Sequence, residues 1–342
     1  MPKHSSINGP KSDIEPETDS LGSAVTGGYP FNDEFMSNDS EEVAGFYNHF
    51  HSRDELVEWM KGRPHGHADL SEVDGRNDVI VVIPTSDAHG PLSINCRTQL
   101  FKGQHIIFVD SKGLDPLFNY ARNVNIGVRR ALELDPRWVV VANDDCIRID
   151  PISTLVSRLE TLRPEETTIV YPMPYSGYHS VKASLVCLRD WAYPILRLKR
   201  AEIRETYDLL RRFGVKYEFM SDSLFKAGVR RWLYGPLFRA IASYVDTVSF
   251  GVYSSQLIHD LGGKLFDEGY VNQGEESDLA FRIWTRGKGI QYVPFQVGDQ
   301  VGLTLGTGPA RTLRGVAGAA YLNYRIEHGF LKVPRIEGGR AN

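Results

Sequence analysis

Two stretches of the chain carry side chains able to do chemistry in concert. The first is Arg137-Trp138-Val139-Val140-Val141-Ala142-Asn143-Asp144-Asp145. Its apolar run from Trp138 to Ala142 is β-branched in the middle and shorter than a helix needs, which predicts a strand buried on both faces of a parallel sheet. Ligands of open α/β sheets lie beyond the carboxyl ends of the strands, so Asp144 and Asp145 stand where a cation and phosphates would be held. The same dipeptide also suits a solvated turn that caps the next helix. The second stretch is Gly274-Glu275-Glu276-Ser277-Asp278-Leu279-Ala280-Phe281-Arg282, a helix start rich in acids. Acids there complement the helix macrodipole whatever the protein does. Read functionally, Glu276 takes a proton from an incoming hydroxyl.

The elements around the first stretch give it a setting. Val79-Ile80-Val81-Val82-Ile83, followed by Pro84-Thr85, predicts a buried parallel strand that stops at the proline. Residues 91–101 have helical spacing, and His105-Ile106-Ile107-Phe108-Val109 makes a second strand ending in Asp110. Residues 117–134 step like a helix and run into the Asn-Asp-Asp strand. Strand, helix, strand, helix, strand, with a polar residue at each strand end, predicts an α/β fold with a doubly wound nucleotide-binding half. No GxGxxG follows the first strand and no GxxxxGK[ST] occurs, which counts against a dinucleotide dehydrogenase and a P-loop phosphotransferase. Further on, a helix is expected at 151–163, strands at 167–171, 181–188, 247–250 and 290–294, and a closing helix at 311–328. Gly315, Ala317, Gly318, Ala319 and Ala320 suit that last helix to close packing.

Residues 1–39 are polar and without periodicity, and are expected to form a disordered acidic tail. Two short helices are expected within 40–77 as an adjunct, with Ser52-Arg53-Asp54-Glu55 as a capping box. The domain proper is expected over 78–330, with a helical insert at about 190–244 and a loose tail at 331–342. Arg63-Pro64-His65-Gly66-His67 reads as a solvated loop rather than a metal site, and residues 171–179 as an aromatic loop that seals the core or stacks on a sugar. The insert mixes bases with aromatics, Val229-Arg230-Arg231-Trp232-Leu233-Tyr234 among them. That pattern fits either a peripheral membrane face or a solvated helical surface.

With 342 residues, 42% hydrophobic, 24% charged and a net charge of -4, the chain has the balance of a soluble enzyme. There is no basic excess to neutralise a nucleic-acid backbone. Cys96, Cys146 and Cys187 form no CxxC pair, which argues against a zinc knuckle or a disulfide framework. No apolar run approaches the roughly 20 residues of a membrane span, and the first residues lack a signal-peptide core. The expectation is a cytoplasmic protein, lying against a membrane at most.

Taken in order, VIVVIPT, IIFVDSKGLD, NVNIGVRRALELDPRWVVVANDD and VSFGVYSSQLIHDLGGKLFDEGYVNQGEESDLAFRIWTRGKGIQYVP resemble family 2 glycosyltransferases of the GT-A fold. The resemblance spans about residues 78–330 apart from the insert, and the block from Val245 to Pro294 looks especially like enzymes that build exopolysaccharides or lipid-linked glycans. It implies a mostly parallel, Rossmann-like sheet flanked by helices. It also implies transfer of a sugar from a UDP-, GDP- or dTDP-sugar to a hydroxyl of a glycan or lipid-linked acceptor, assisted by Mn²⁺ or Mg²⁺. By the same resemblance Asp110 holds the nucleotide base, Pro84 and Thr85 line the base pocket, and Asn125 with Gly127 lies near the nucleotide. Asn143 and Asp144 face ribose and donor sugar, and Asp145 holds the cation. Glu275 and Glu276 stand where the family writes Glu-Asp, with Glu276 as general base and Asp278 as a further acid of the motif. Two departures stand out: Glu276 is one methylene longer than Asp, a reach of about 1.5 Å, and no His follows the last strand, where Asp299 is the substitute cation ligand. The rival from another class is a non-catalytic protein of the same fold that binds a nucleotide sugar or assists a glycosyltransferase. A sugar-nucleotide pyrophosphorylase fits less well, because Pro84-Thr85-Ser86-Asp87-Ala88-His89-Gly90 lacks the Gly-rich loop with Arg and Lys.

Overall fold

The computed structural model describes residues 29–173, 178–182, 212–215, 243–247, 250–284, 289–299 and 308–331. Most of the expected insert, residues 174–177 of the aromatic loop, and residues 1–28 and 332–342 of the two expected tails lie outside them.

The run from Val79 to Thr85 is buried throughout, because both faces of its strand are covered. That strand, β2 (Arg76–Thr85), lies between β3 (Gln104–Asp110) and β4 (Trp138–Ala142), parallel to both. Side-chain alternation divides it between two cores. Val79, Val81 and Ile83 pack with Leu100 and Phe101 beyond α4 (Pro91–Asn95), and with Leu155 and Leu159 of α6 (Ile152–Glu160). Ile80 and Val82 pack with Val124 and Val128 of α5 (Tyr120–Leu132) on the other face. The expected strand-helix-strand-helix-strand half is therefore present, in the spatial order β3-β2-β4. Pro84 does not end β2. The pairing of β4 with β2 stops at Val82, so the missing N–H of Pro84 falls where only β3 flanks the strand.

The full sheet has seven strands in the order β1-β3-β2-β4-β9-β6-β10. The edge strand β1 (Asp69–Val73) pairs antiparallel with β3 and was not expected, since DLSEV is too polar to read as a buried strand. Strand β9 (Phe250–Ser254) runs antiparallel between β4 and β6 (Thr167–Met173), and β10 (Gly289–Pro294) is parallel to β6. The strand expected at 247–250 is thus two: β8 (Ser243–Thr247), paired with β7 (Tyr178–Lys182), and β9. Nor is β10 the last strand. After it, β11 (Val297–Asp299) pairs antiparallel with β5 (Cys146–Arg148), directly beyond the Asn-Asp-Asp stretch.

Helices α7 (Ser255–Asp260) and α8 (Glu275–Trp284) join α5 on its face of the sheet through Leu257, Ile258, Leu279 and Ile283. A third core forms where α1 (Asn32–Met36), α2 (Ser40–Phe46) and α3 (Arg53–Gly62) meet the closing helix α9 (Pro309–Glu327). There the Tyr47 hydroxyl donates to the Leu313 carbonyl at 2.6 Å. The expected tail boundary at 39 is therefore corrected: Phe35 is 1% exposed, and the Trp59 indole donates to the Pro30 carbonyl at 2.6 Å. An aromatic pocket formed by sequence-distant residues captures a segment whose own composition is unremarkable. Among the described residues no helix is long and apolar enough to cross a membrane.

Candidate functional site

The chain leaves β2 toward β3 on one side and returns past β2 to β4 on the other, so a topological switch point lies between the carboxyl ends of β2 and β4. Crevices at such points are where α/β sheets bind ligands. Thr85 ends β2, and its hydroxyl donates to Asp144 Oδ2 at 2.6 Å, joining the two strand ends. Thr85 is 4% exposed and also receives the Asp87 N–H at 3.2 Å, so the loop after β2 folds back over its own strand. Beneath Asp144, the Cys96 thiol donates to the Asp144 carbonyl at 3.3 Å. Burial, and then the charges of Asp144 and Asp145, push that thiol up to about 12, so it stays neutral. Burial likewise pushes the Asp144 carboxyl above its ordinary value, partly offset by the Thr85 hydroxyl.

Asn143, Asp144 and Asp145 are half-buried at the mouth of the switch point. The β5–β11 register sets Asp299 opposite Cys146, the residue after Asp145, so its backbone is where a further ligand beside Asp145 would be needed; its side chain lies outside the described residues. Among the described residues no group of three or more His, Cys, Asp or Glu side chains is arranged to hold a metal ion. What the strand end does supply is paired hard oxygens, one of them on a carboxyl whose ionisation burial opposes. A hard divalent cation fits that donor set.

The other expected ligand residues are tied into the scaffold. Pro84 is buried within β2. Asp110, 5% exposed, accepts the backbone N–H of Lys112 at 2.8 Å and of Ala88 at 3.2 Å, pinning the loops after β3 and β2 to each other. Asn125, expected near the nucleotide, holds the loop at Phe266. It is 0% exposed, and its amide donates to the Phe266 carbonyl at 2.9 Å and to Glu268 Oε1 at 2.9 Å while accepting the Phe266 N–H at 3.0 Å. Gly127 belongs to packing: a Cβ there would lie 2.4 Å from Val82 Cγ1 and 2.9 Å from Val109 Cγ2, so α5 seats on the sheet only with glycine at this point.

The clamp on Phe266 begins the placement of the second acidic stretch. Asn119 caps α5 by accepting the Arg122 N–H at 2.9 Å, and its amide donates to the carbonyls of Glu268 and Tyr270 at 2.9 and 3.0 Å. Asn272, at φ 59°, accepts the Tyr120 N–H at 2.7 Å and donates to the Phe118 carbonyl at 3.0 Å. Three asparagines thus fasten residues 266–272 to the start of α5, and Gly274, at φ 100°, turns the chain into α8. On the far side α9 closes in, where a Cβ on Gly318 would lie 2.2 Å from the Gln273 carbonyl oxygen. The expected close packing of that helix is present, directed at the residues before Glu275.

The two adjacent glutamates differ. Glu275 is 2% exposed, whereas Glu276 is half-buried and accessible. Asp278 is turned inward: its carboxylate meets Arg282 Nε and Arg325 Nε, each at 2.6 Å, and anchors α8 to α9. Tyr120 opens α5 behind the Asn119 cap. Its phenol is raised well above its ordinary value by burial, then by Glu276, Tyr253, Glu275 and Cys146. Glu275, Glu276 and Cys146 are therefore within electrostatic reach of a single hydroxyl. No known family model matches the chain, and no curated protein is similar enough to be called a relative. The site stands on its own geometry.

Asn119, Tyr120, Asn272 and Cys96 escaped the sequence reading. Asn119 had a legible signal, an Asn directly before a helical pattern. The others had none, because each acts on residues far away in the chain.

Proposed function

We propose that the chain is an inverting glycosyltransferase of the GT-A kind, moving a sugar from a nucleotide-sugar donor to a hydroxyl of a glycan or lipid-linked acceptor. The observation that carries this reading is the 2.6 Å bond from the Thr85 hydroxyl to Asp144 Oδ2, which holds the first acidic pair at the switch point of an α/β sheet. The helix-flanked, mostly parallel sheet agrees with it.

Asp144 and Asp145, with Asp299 as a further candidate, would hold Mn²⁺ or Mg²⁺, which when bound stabilises the negative charge of the departing diphosphate. Glu276 is the member of its pair with access to solvent, and its carboxylate takes the proton of the acceptor hydroxyl as that oxygen bonds to the anomeric carbon. The bond from that carbon to the diphosphate breaks in the same displacement, the nucleoside diphosphate leaves, and the anomeric configuration inverts. Glu275 is buried at the helix start. The extra methylene of Glu276 favours one second reading, a protein that binds nucleotide sugars without turning them over.

One assay separates the two. Release of nucleoside diphosphate from UDP-, GDP- and dTDP-sugars is measured with Mn²⁺ and with EDTA, alongside binding. Glu276→Gln is expected to keep donor binding and lose most release, and Asp145→Ala to lose both. Turnover undiminished in Glu276→Gln removes it as the base, and binding without release in the unaltered protein favours the second reading.

A further inference from the structure

The end of β2 carries a short relay of hydroxyls. Ser93 of α4 is 0% exposed, and its hydroxyl lies 2.6 Å from the Asp87 carbonyl and 3.1 Å from the Thr85 hydroxyl. The Thr85 hydroxyl receives the Asp87 N–H at 3.2 Å and stands 2.6 Å from Asp144 Oδ2. Each hydroxyl has one hydrogen to give. Ser93 gives its hydrogen to the Asp87 carbonyl, the nearer of its two acceptors. Thr85 gives its own to the carboxylate, because bonds onto ionised oxygens are the shorter and stronger ones. Asp144 is thus held twice by other parts of the chain: its carbonyl accepts the Cys96 thiol at 3.3 Å, and its carboxylate accepts Thr85. Asp144 lies in the turn between β4 and β5, whereas Thr85 closes a strand buried from Val79 onward, so the strand sets the direction of the turn residue's side chain.

We propose that Thr85 is a positioning residue for a divalent cation: its hydroxyl holds the Asp144 carboxylate in the orientation in which Asp144 and Asp145 bind Mn²⁺ or Mg²⁺. The inference rests on the glycosyl-transfer reading and deepens it, moving Thr85 from the base pocket, where the resemblance puts it, to the support of the acidic pair. Its hydrogen-bonding capacity argues for that move. The donor is spent on Asp144, the oxygen already receives the Asp87 N–H with Ser93 beside it, and the residue is 4% exposed, so little of it is left to touch a nucleotide base. Hydrogen bonds from such outer residues fix the direction of a ligating carboxylate, and their loss typically weakens metal binding about 10- to 100-fold.

Titration of the full chain with Mn²⁺ alone tests this, the free ion being followed by its electron paramagnetic resonance. Nucleotide is left out, so that a contact to the base cannot contribute. Thr85→Val replaces the hydroxyl by a methyl group of the same shape, and Thr85→Ser keeps the hydroxyl. Thr85→Val is expected to weaken Mn²⁺ binding at least about tenfold, and Thr85→Ser by less than about threefold. Circular dichroism checks that Thr85→Val is folded; if it is not, Thr85→Ala takes its place with the same expectation. Mn²⁺ affinity equal to that of the unaltered protein in the variant lacking the hydroxyl overturns the proposal and leaves the transferase reading standing. A loss in Thr85→Ser as large as in Thr85→Val also overturns it, because the hydroxyl is then not what matters. Absence of Mn²⁺ binding by the unaltered protein overturns the proposal together with the metal-assisted reading.

Discussion

Removing the Asn125 amide tests whether the second acidic stretch is held where the fold places it. In Asn125→Ala the Phe266 N–H and C=O lose their partners at 3.0 and 2.9 Å, and Phe266 is 2% exposed, so water cannot replace them without opening the loop. A buried donor or acceptor left unsatisfied costs roughly 1–3 kcal/mol. The bond to Glu268, at 2.9 Å on a side chain nearer the surface, adds less than about 1 kcal/mol. The sum, after partial relaxation, is about 3–5 kcal/mol. For a chain larger than 250 residues each kcal/mol shifts the melting temperature by about 2 °C, so a fall of roughly 6–10 °C is expected. Urea titration followed by tryptophan fluorescence gives the free energy, and calorimetry gives the midpoint. Under the proposed function, nucleoside diphosphate release is expected to fall more than nucleotide binding, since the loop from Phe266 leads to Glu276 while the proposed nucleotide side would lie on β2 and β3. Loss of less than 1 kcal/mol with unchanged release would refute the clamp.

Gly127→Ala should destabilise by about 1–3 kcal/mol, although alanine is the better helix former, because the added carbon meets Val82 and Val109 at 2.4 and 2.9 Å; a urea midpoint equal to or above that of the parent would contradict the close seating of α5. Glu72 on β1 receives Arg130 Nε at 2.7 Å, and that bond above all holds its carboxyl below the usual glutamate range. A depressed folded value means the stabilisation is present above the unfolded pKa and is lost as pH falls through the folded one. Glu72→Gln should therefore lower the urea midpoint at neutral pH, with the gap to the parent closing in acid. A gap as large near pH 3 as at neutral pH would show that the pair contributes nothing through ionisation.

Sequence alone determined the elements whose physics is local. The apolar runs at Val79–Ile83, His105–Val109 and Trp138–Ala142 could be buried only as central strands, and each ends in a polar or acidic residue at the rim where ligands bind. The acids opening α8 and the small residues of α9 were equally legible, because helical period and turn chemistry are written in neighbouring residues. Polar strands were not: β1 and β11 exist through pairing with partners far along the chain, and pairing leaves little trace in composition. Roles of single polar residues depended still more on the tertiary structure. Asn125, expected at a nucleotide, is sealed against Phe266, and Asp278 is spent on Arg282 and Arg325. Tyr120, legible only as part of a helical period, gives its N–H to Asn272, far along the chain. A side chain's type fixes what it can donate, accept or ionise; which group it meets is decided by contacts between segments more than a hundred residues apart, such as Asn119 with Glu268.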